Sequence, residues 1–116
     1  MRHRSTKKIL GRGKAHRRSL TRNFVRSFFT YEKVRTTETK AKVMKSEIEK
    51  LITIGKTDSL KARRDIIKKI GSNTLATKII KDISPRYKDR KGGYTRIMKI
   101  GTRSGDSAPE VYLTLV

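Results

Sequence analysis

Arg18, Arg22 and Arg26 recur every fourth residue with no acidic residue among them, so a helix would stack three guanidinium groups along one side. Like charges at that spacing destabilise a helix by roughly 0.2–0.5 kcal/mol per pair. A phosphate chain running past them relieves the repulsion, and arginine offers a planar fork for two phosphate oxygens. The stripe belongs to a longer run: residues 1–31 carry ten Lys or Arg, and the first carboxylate is Glu32. A second cluster, Arg86, Lys88, Arg90, Lys91, Arg96, Lys99 and Arg103, is interrupted only by Asp89. Across the chain 31 Lys+Arg oppose 10 Asp+Glu, a formal charge of +21 on 116 residues. Such a surplus repels itself unless a polyanion surrounds it. Nucleic acid is the favoured partner, because each phosphate contact releases condensed counterions. Charge placement alone selects Lys7, Lys8, Lys14, Arg18, Arg26, Lys91 and Arg103 as candidate phosphate contacts.

Other chemistry lacks the residues it needs. With no Cys, disulfides, thiolate zinc sites and cysteine nucleophiles are excluded. His3 and His16 stand among cations, which lower a histidine's pKa and repel a metal ion; stacking or phosphate contact suits them better. Neither G-x-x-x-x-G-K-[ST] nor G-x-G-x-x-G occurs. Gly92-Gly93 suits a tight turn better than a phosphate cradle. Glu47 and Glu49, two residues apart, point away from each other on a helix and build no carboxylate dyad. No catalytic residue, metal, cofactor or small-molecule substrate is expected. No apolar run approaches the roughly 18 residues of a membrane span, and the basic leading residues lack the apolar block of a secretory signal. These features fit a cytoplasmic protein with no membrane partner.

The elements that must position the cations follow from periodicity. Residues 1–13 show no period and read as a basic arm, disordered alone and ordered along phosphates. A helix is predicted from about Lys14 to Thr30, with Leu20, Phe24 and Phe28 as its apolar stripe and the arginines about 200° away. Tyr31–Thr36 reads as a short strand. Thr36 or Thr37 offers a cap to a second helix running to Ile54, with Ala41, Met44, Ile48, Leu51 and Ile52 on one face and Gly55 as its stop. Asp58 or Ser59 starts a third, with Ala62, Ile66, Ile67 and Ile70 inward before Gly71. Asn73 can cap a fourth, with Leu75, Ile79, Ile80 and Ile83 inward and Ser84-Pro85 closing it. Tyr94–Ile100 and Glu110–Val116 read as an antiparallel hairpin, which Tyr31–Thr36 completes to three strands, since two alone are marginal in water. The fold class is α+β in two layers: three to four helices on a small three-stranded sheet, a single domain over 14–116 behind the arm.

Met1-Arg2-His3-Arg4, Leu10-Gly11-Arg12, His16-Arg17, Arg22-Asn23, Thr36-Thr37-Glu38 with Ala41-Lys42, Pro85-Arg86-Tyr87, Asp89-Arg90, Gly92-Gly93-Tyr94-Thr95-Arg96 and Gly105-Asp106 with Ala108-Pro109 occur in this order. Together they resemble the bacterial large-subunit ribosomal protein seventeen family over nearly the whole chain. The resemblance implies a ribosomal protein that binds 23S rRNA beside neighbouring large-subunit proteins near the peptide tunnel exit. It also implies three central helices and a mixed sheet. Carried over residue by residue, it marks Arg2, His3, Arg4 and Arg12 in the arm, His16, Arg17 and Arg22 on the first helix, and Arg86, Tyr87, Arg90, Tyr94 and Arg96 in the loop as RNA contacts. Tyr87 and Tyr94 could stack on splayed bases, or Tyr94 could serve the core. Gly13-Lys14-Ala15 stands where members often have Ser or Thr, which removes the usual hydroxyl cap. Phe28-Phe29 replaces smaller aliphatics. The expected function is that of a structural constituent of the large subunit acting by binding alone; the alternative of another class is a DNA-compacting nucleoid protein.

Overall fold

The structure, a computed structural model, describes His3 and residues 8–116. Helix α1 spans Lys14–Tyr31, strand β1 Lys33–Thr37, α2 Glu38–Gly55, α3 Leu60–Ile70 and α4 Asn73–Lys78. The last continues through a π-helical turn, Ile79–Ile83, and a 3-10 turn, Ser84–Tyr87, before strands β2 (Thr95–Thr102) and β3 (Pro109–Leu115). The α+β expectation holds.

Local chemistry explains most boundaries. Ser59 caps α3 by accepting a hydrogen bond from the Ala62 amide at 3.1 Å, and Gly71 ends it in the left-handed conformation. Ser72, not Asn73, caps α4 through the Leu75 amide at 3.3 Å. Gly13 and Thr37 precede α1 and α2 without side-chain caps. Pro85 does not close the fourth helical segment: it occupies the first turn of the 3-10 stretch, where its missing N–H costs nothing, so the helical path runs on to Tyr87.

The sheet is antiparallel throughout, in the order β1-β3-β2, which corrects the expected mixed sheet. β1 and β2 run the same way, yet β3 lies between them, so no parallel pair forms. Val34, Leu113 and Ile97 share one row across the inner face, while Arg35, Tyr112 and Met98 share the adjacent outer row. Alternation along the strand makes this assignment. The inner face meets α2, and Met44, Ile48, Leu51, Ile52, Ile66, Ile70, Ile79, Ile83, Val111 and Leu113 form the shared core.

In α1 the buried residues are Val25, Phe28 and Phe29, with Leu20 and Phe24 only partly covered. At about 100° per residue, this moves the centre of the buried face by about 90° from the Leu20/Phe24/Phe28 stripe. Arg22 and Arg26 therefore border the core instead of standing opposite it.

Candidate nucleic-acid interface

The cations fall into two groups once their partners are known. At the arm's root, Leu10 and Gly11 both take positive φ (57° and 67°), closing a turn in which the Arg12 amide donates to the Ile9 carbonyl at 3.2 Å. Leu10 packs against the core. Arg12 Nη1 donates to the Leu10 carbonyl at 2.6 Å, and Arg17 Nη1 to the Arg12 carbonyl at 2.7 Å. These bonds fix the turn onto the first turn of α1 and use one nitrogen of each guanidinium. Lys8, Lys14, His16 and Arg18 are exposed around it, and none of their side chains hydrogen-bonds or ion-pairs with another described residue. His3 is also exposed, while Arg2, Arg4 and Lys7 lie outside the described residues.

Farther along α1 the arginines turn to the protein. Arg26 Nε donates to the Ile70 carbonyl at 2.6 Å and its Nη2 to the Gly71 carbonyl at 3.2 Å; Arg22 reaches the Lys68 carbonyl at 3.5 Å. Both thus cap the negative end of the α3 dipole. Gly71 is required there for its φ of +74°, a conformation L side chains rarely adopt.

The second cluster divides in the same way. Arg86 makes a bidentate pair with Glu32 at 2.9 and 3.1 Å and bonds Asp82 at 3.0 Å. Tyr87 is buried, its hydroxyl donating to the Val116 carbonyl at 3.0 Å. Tyr94 is also buried, its ring 5.2 Å from that of Tyr87 and beneath Lys56 Nζ at 4.6 Å. These tyrosines fill the core and are not presented for base stacking. Arg103 pairs with Asp106 across the β2–β3 loop. Arg90 is exposed, and its guanidinium donates to the Gly93 carbonyl at 3.3 Å. Gly93, at φ +64°, forms a turn. Lys91 and Arg96 are exposed, and their side chains make no hydrogen bond or ion pair with another described residue.

Glu32 holds a left-handed φ of 61° at the end of α1, with its amide bonded to the Phe28 carbonyl at 2.6 Å. The hydrogen bonds from Arg86 hold its carboxyl below the usual 4.5 against the opposing effect of burial, and Lys78 adds to the lowering. A depressed carboxylate stabilises the fold fully above its unfolded pKa, and that contribution disappears as pH falls through the folded value. Glu32→Gln should therefore cost about 1 kcal/mol near neutrality. The gap between variant and parent melting curves should close as pH drops below about 4.5; a gap unchanged at pH 3 would refute this role for the pair.

One charged surface is missed by reading along the chain. Lys42, Lys45 and Lys50 on α2, Lys69 near the end of α3, and Lys91 line one groove with Tyr94 at its side. Helical spacing makes Lys42 and Lys45 neighbours, but nothing local shows that Lys50, Lys69 and Lys91 join them at one groove.

The ribosomal protein L17 family model matches residues 20–116. Large ribosomal subunit protein bL17 of Syntrophus aciditrophicus is 48% identical over 109 residues, covering 94% of this chain and 87% of its own. Its counterparts from Pelobacter propionicus and Syntrophotalea carbinolica are 46% and 45% identical over all 116 residues, covering 91% and 75% of their own lengths. No helix among the described residues is long and apolar enough to cross a membrane.

Proposed function

Because the chain belongs to the ribosomal protein L17 family, we propose that it binds 23S rRNA as a structural constituent of the large ribosomal subunit, near the peptide tunnel exit. It is a cytoplasmic ribosomal component and not an enzyme. The observation that carries the rRNA reading is the exposed cationic surface around the start of α1. There the side chains of Lys8, Lys14 and Arg18 have no intramolecular partner among the described residues, and the guanidinium groups of Arg12 and Arg17 are bonded only to backbone carbonyls. In the sequence the arm residues Arg2, His3, Arg4 and Lys7 precede these cations with no acidic residue between.

The folded body acts as a rigid platform. Its exposed cations neutralise phosphates of RNA segments that would otherwise repel one another, while Arg26, Arg86, Tyr87, Tyr94 and Arg103 keep the platform in shape. Specificity then comes from RNA shape more than base reading, as expected for contacts dominated by phosphate. Arg90, Lys91 and Arg96 supply further contacts from the loop and β2. Nothing favours DNA compaction. Competition between a 23S rRNA fragment and duplex DNA tests the choice: rRNA should win, and crosslinks formed in cells should map to 23S rRNA near the tunnel exit. A preference for duplex DNA, or crosslinks dispersed outside the large subunit, would reject the reading.

A further inference from the structure

The lysine groove shares no residue with the arm or α1. Its lining carries five ammonium groups, from Lys42, Lys45, Lys50, Lys69 and Lys91, and one carboxylate, Glu49. That carboxylate is spent on the protein: Glu49 Oε1 accepts from the Thr95 hydroxyl at 2.8 Å and from its amide at 3.4 Å. Outside the lining, Glu38 pairs with Lys42 at 3.0 Å, and Glu47 is shared between Lys50 at 3.3 Å and Lys69 at 3.4 Å. The side chains of Lys45 and Lys91 make no hydrogen bond or ion pair with another described residue. Exposed pairs of this kind contribute only about 0–1 kcal/mol each, so they hold the lysines in place without competing strongly against phosphate.

Resting on the rRNA-binding reading above, we propose that this groove, between α2 and the loop at Lys91–Tyr94, seats a second stretch of rRNA backbone separate from the one taken by the arm and the start of α1. The five ammonium groups around the groove are complementary in charge to a polyphosphate. Its residue type also differs from the first surface. The arm root presents Arg17 and Arg18, whose planar forks match particular oxygen pairs, whereas every cation lining the groove is a lysine, a hydrated point charge on a flexible stem. A lysine lining follows a phosphate path without demanding one geometry, which suits a backbone passing through. With two seats on separate elements of one rigid core, the protein would tie two RNA segments together, beyond neutralising one.

Full-length protein carrying Lys45→Gln and Lys91→Gln, and a second variant carrying Lys8→Gln, Lys14→Gln and Arg18→Gln, would be bound to 23S rRNA, with salt titration and hydroxyl-radical footprinting as readouts. The groove variant should melt as the parent does, since neither lysine has a partner to lose. Its plot of log affinity against log salt should be shallower by about 2, one unit per phosphate contact. It should lose protection over one backbone segment while the segment protected by the arm side stays covered. If the groove variant matches the parent in slope and footprint while the arm-side variant loses protection, the groove holds no RNA and rRNA binding stands without it. If neither variant changes anything, the rRNA reading falls and the groove proposal with it. Unchanged RNA protection combined with loss of a neighbouring ribosomal protein would also overturn the proposal, by assigning the groove to a protein.

Discussion

Between about 50 and 200 mM monovalent salt, affinity for 23S rRNA should fall by about three to five orders of magnitude. About eight phosphates engaged, at ~0.7–0.9 counterions released per contact, give a slope of log affinity against log salt near −6 to −7. The structure supplies the cations for this without Arg26, Arg86 or Arg103, which are bonded within the chain. Two variants separate charge from folding. Neutralising Lys8, Lys14 and Arg18 together should flatten the slope by about 3 at unchanged melting temperature. Arg26→Gln should do the reverse, lowering stability through the lost cap on α3 and leaving the slope near its parent value. A parent slope near −1 would sink the electrostatic mechanism outright.

The contrast between Arg18 and Arg26 shows how far the sequence can be read. Features set by neighbours in sequence are legible. Ser59, Ala62, Ile66, Ile70 and Gly71 announce the cap, the buried face and the stop of α3, because each acts within a few turns. Tyr112 and Leu113 fall on opposite faces of β3, because strand alternation admits no other arrangement. Functional assignments set by distant partners are not legible. The acceptors of Arg26 lie 44 and 45 residues downstream, the Glu32 carboxylate that holds Arg86 is 54 residues upstream, and the carbonyl that receives the Tyr87 hydroxyl is 29 residues away. A basic residue in a basic run looks equally free wherever it stands. Only the fold shows that Lys14 and Arg18 face outward while Arg26 and Arg86 hold the body together. The same blindness hides the groove, whose lysines are spread from 42 to 91.

Replacing Gly55 with Ala should destabilise the protein by about 1–2 kcal/mol. Gly55 sits at the stop position that periodicity assigns to it, yet the following residue, Lys56, is right-handed, so no left-handed cap explains the glycine. Proximity does. A Cβ at this buried position would lie 2.5 Å from Ser84 Oγ and 2.9 Å from Ile79 Cγ2. Neither neighbour is the loose end of a long side chain: Ile79 and Ser84 are fully buried, and the Ser84 hydroxyl donates to the Ile52 carbonyl at 2.9 Å. The added methyl must either rotate Ser84 off that carbonyl, leaving a buried hydroxyl unpaired, or push α2 away from the π-helical turn. Each costs about 1–3 kcal/mol. Helix propensity favours Ala by at most about 1 kcal/mol, less at a helix end, so the overlap wins. At about 3–6 °C per kcal/mol for a chain of this size, the melting temperature should fall by roughly 3–12 °C. A double-mutant cycle identifies the cause: Ser84→Ala removes the closest colliding atom, so Gly55→Ala should cost at least about 1 kcal/mol less in that background. A Gly55→Ala protein as stable as the parent, or costs that simply add, would show that α2 and the π-helical turn are not held at this closeness in solution.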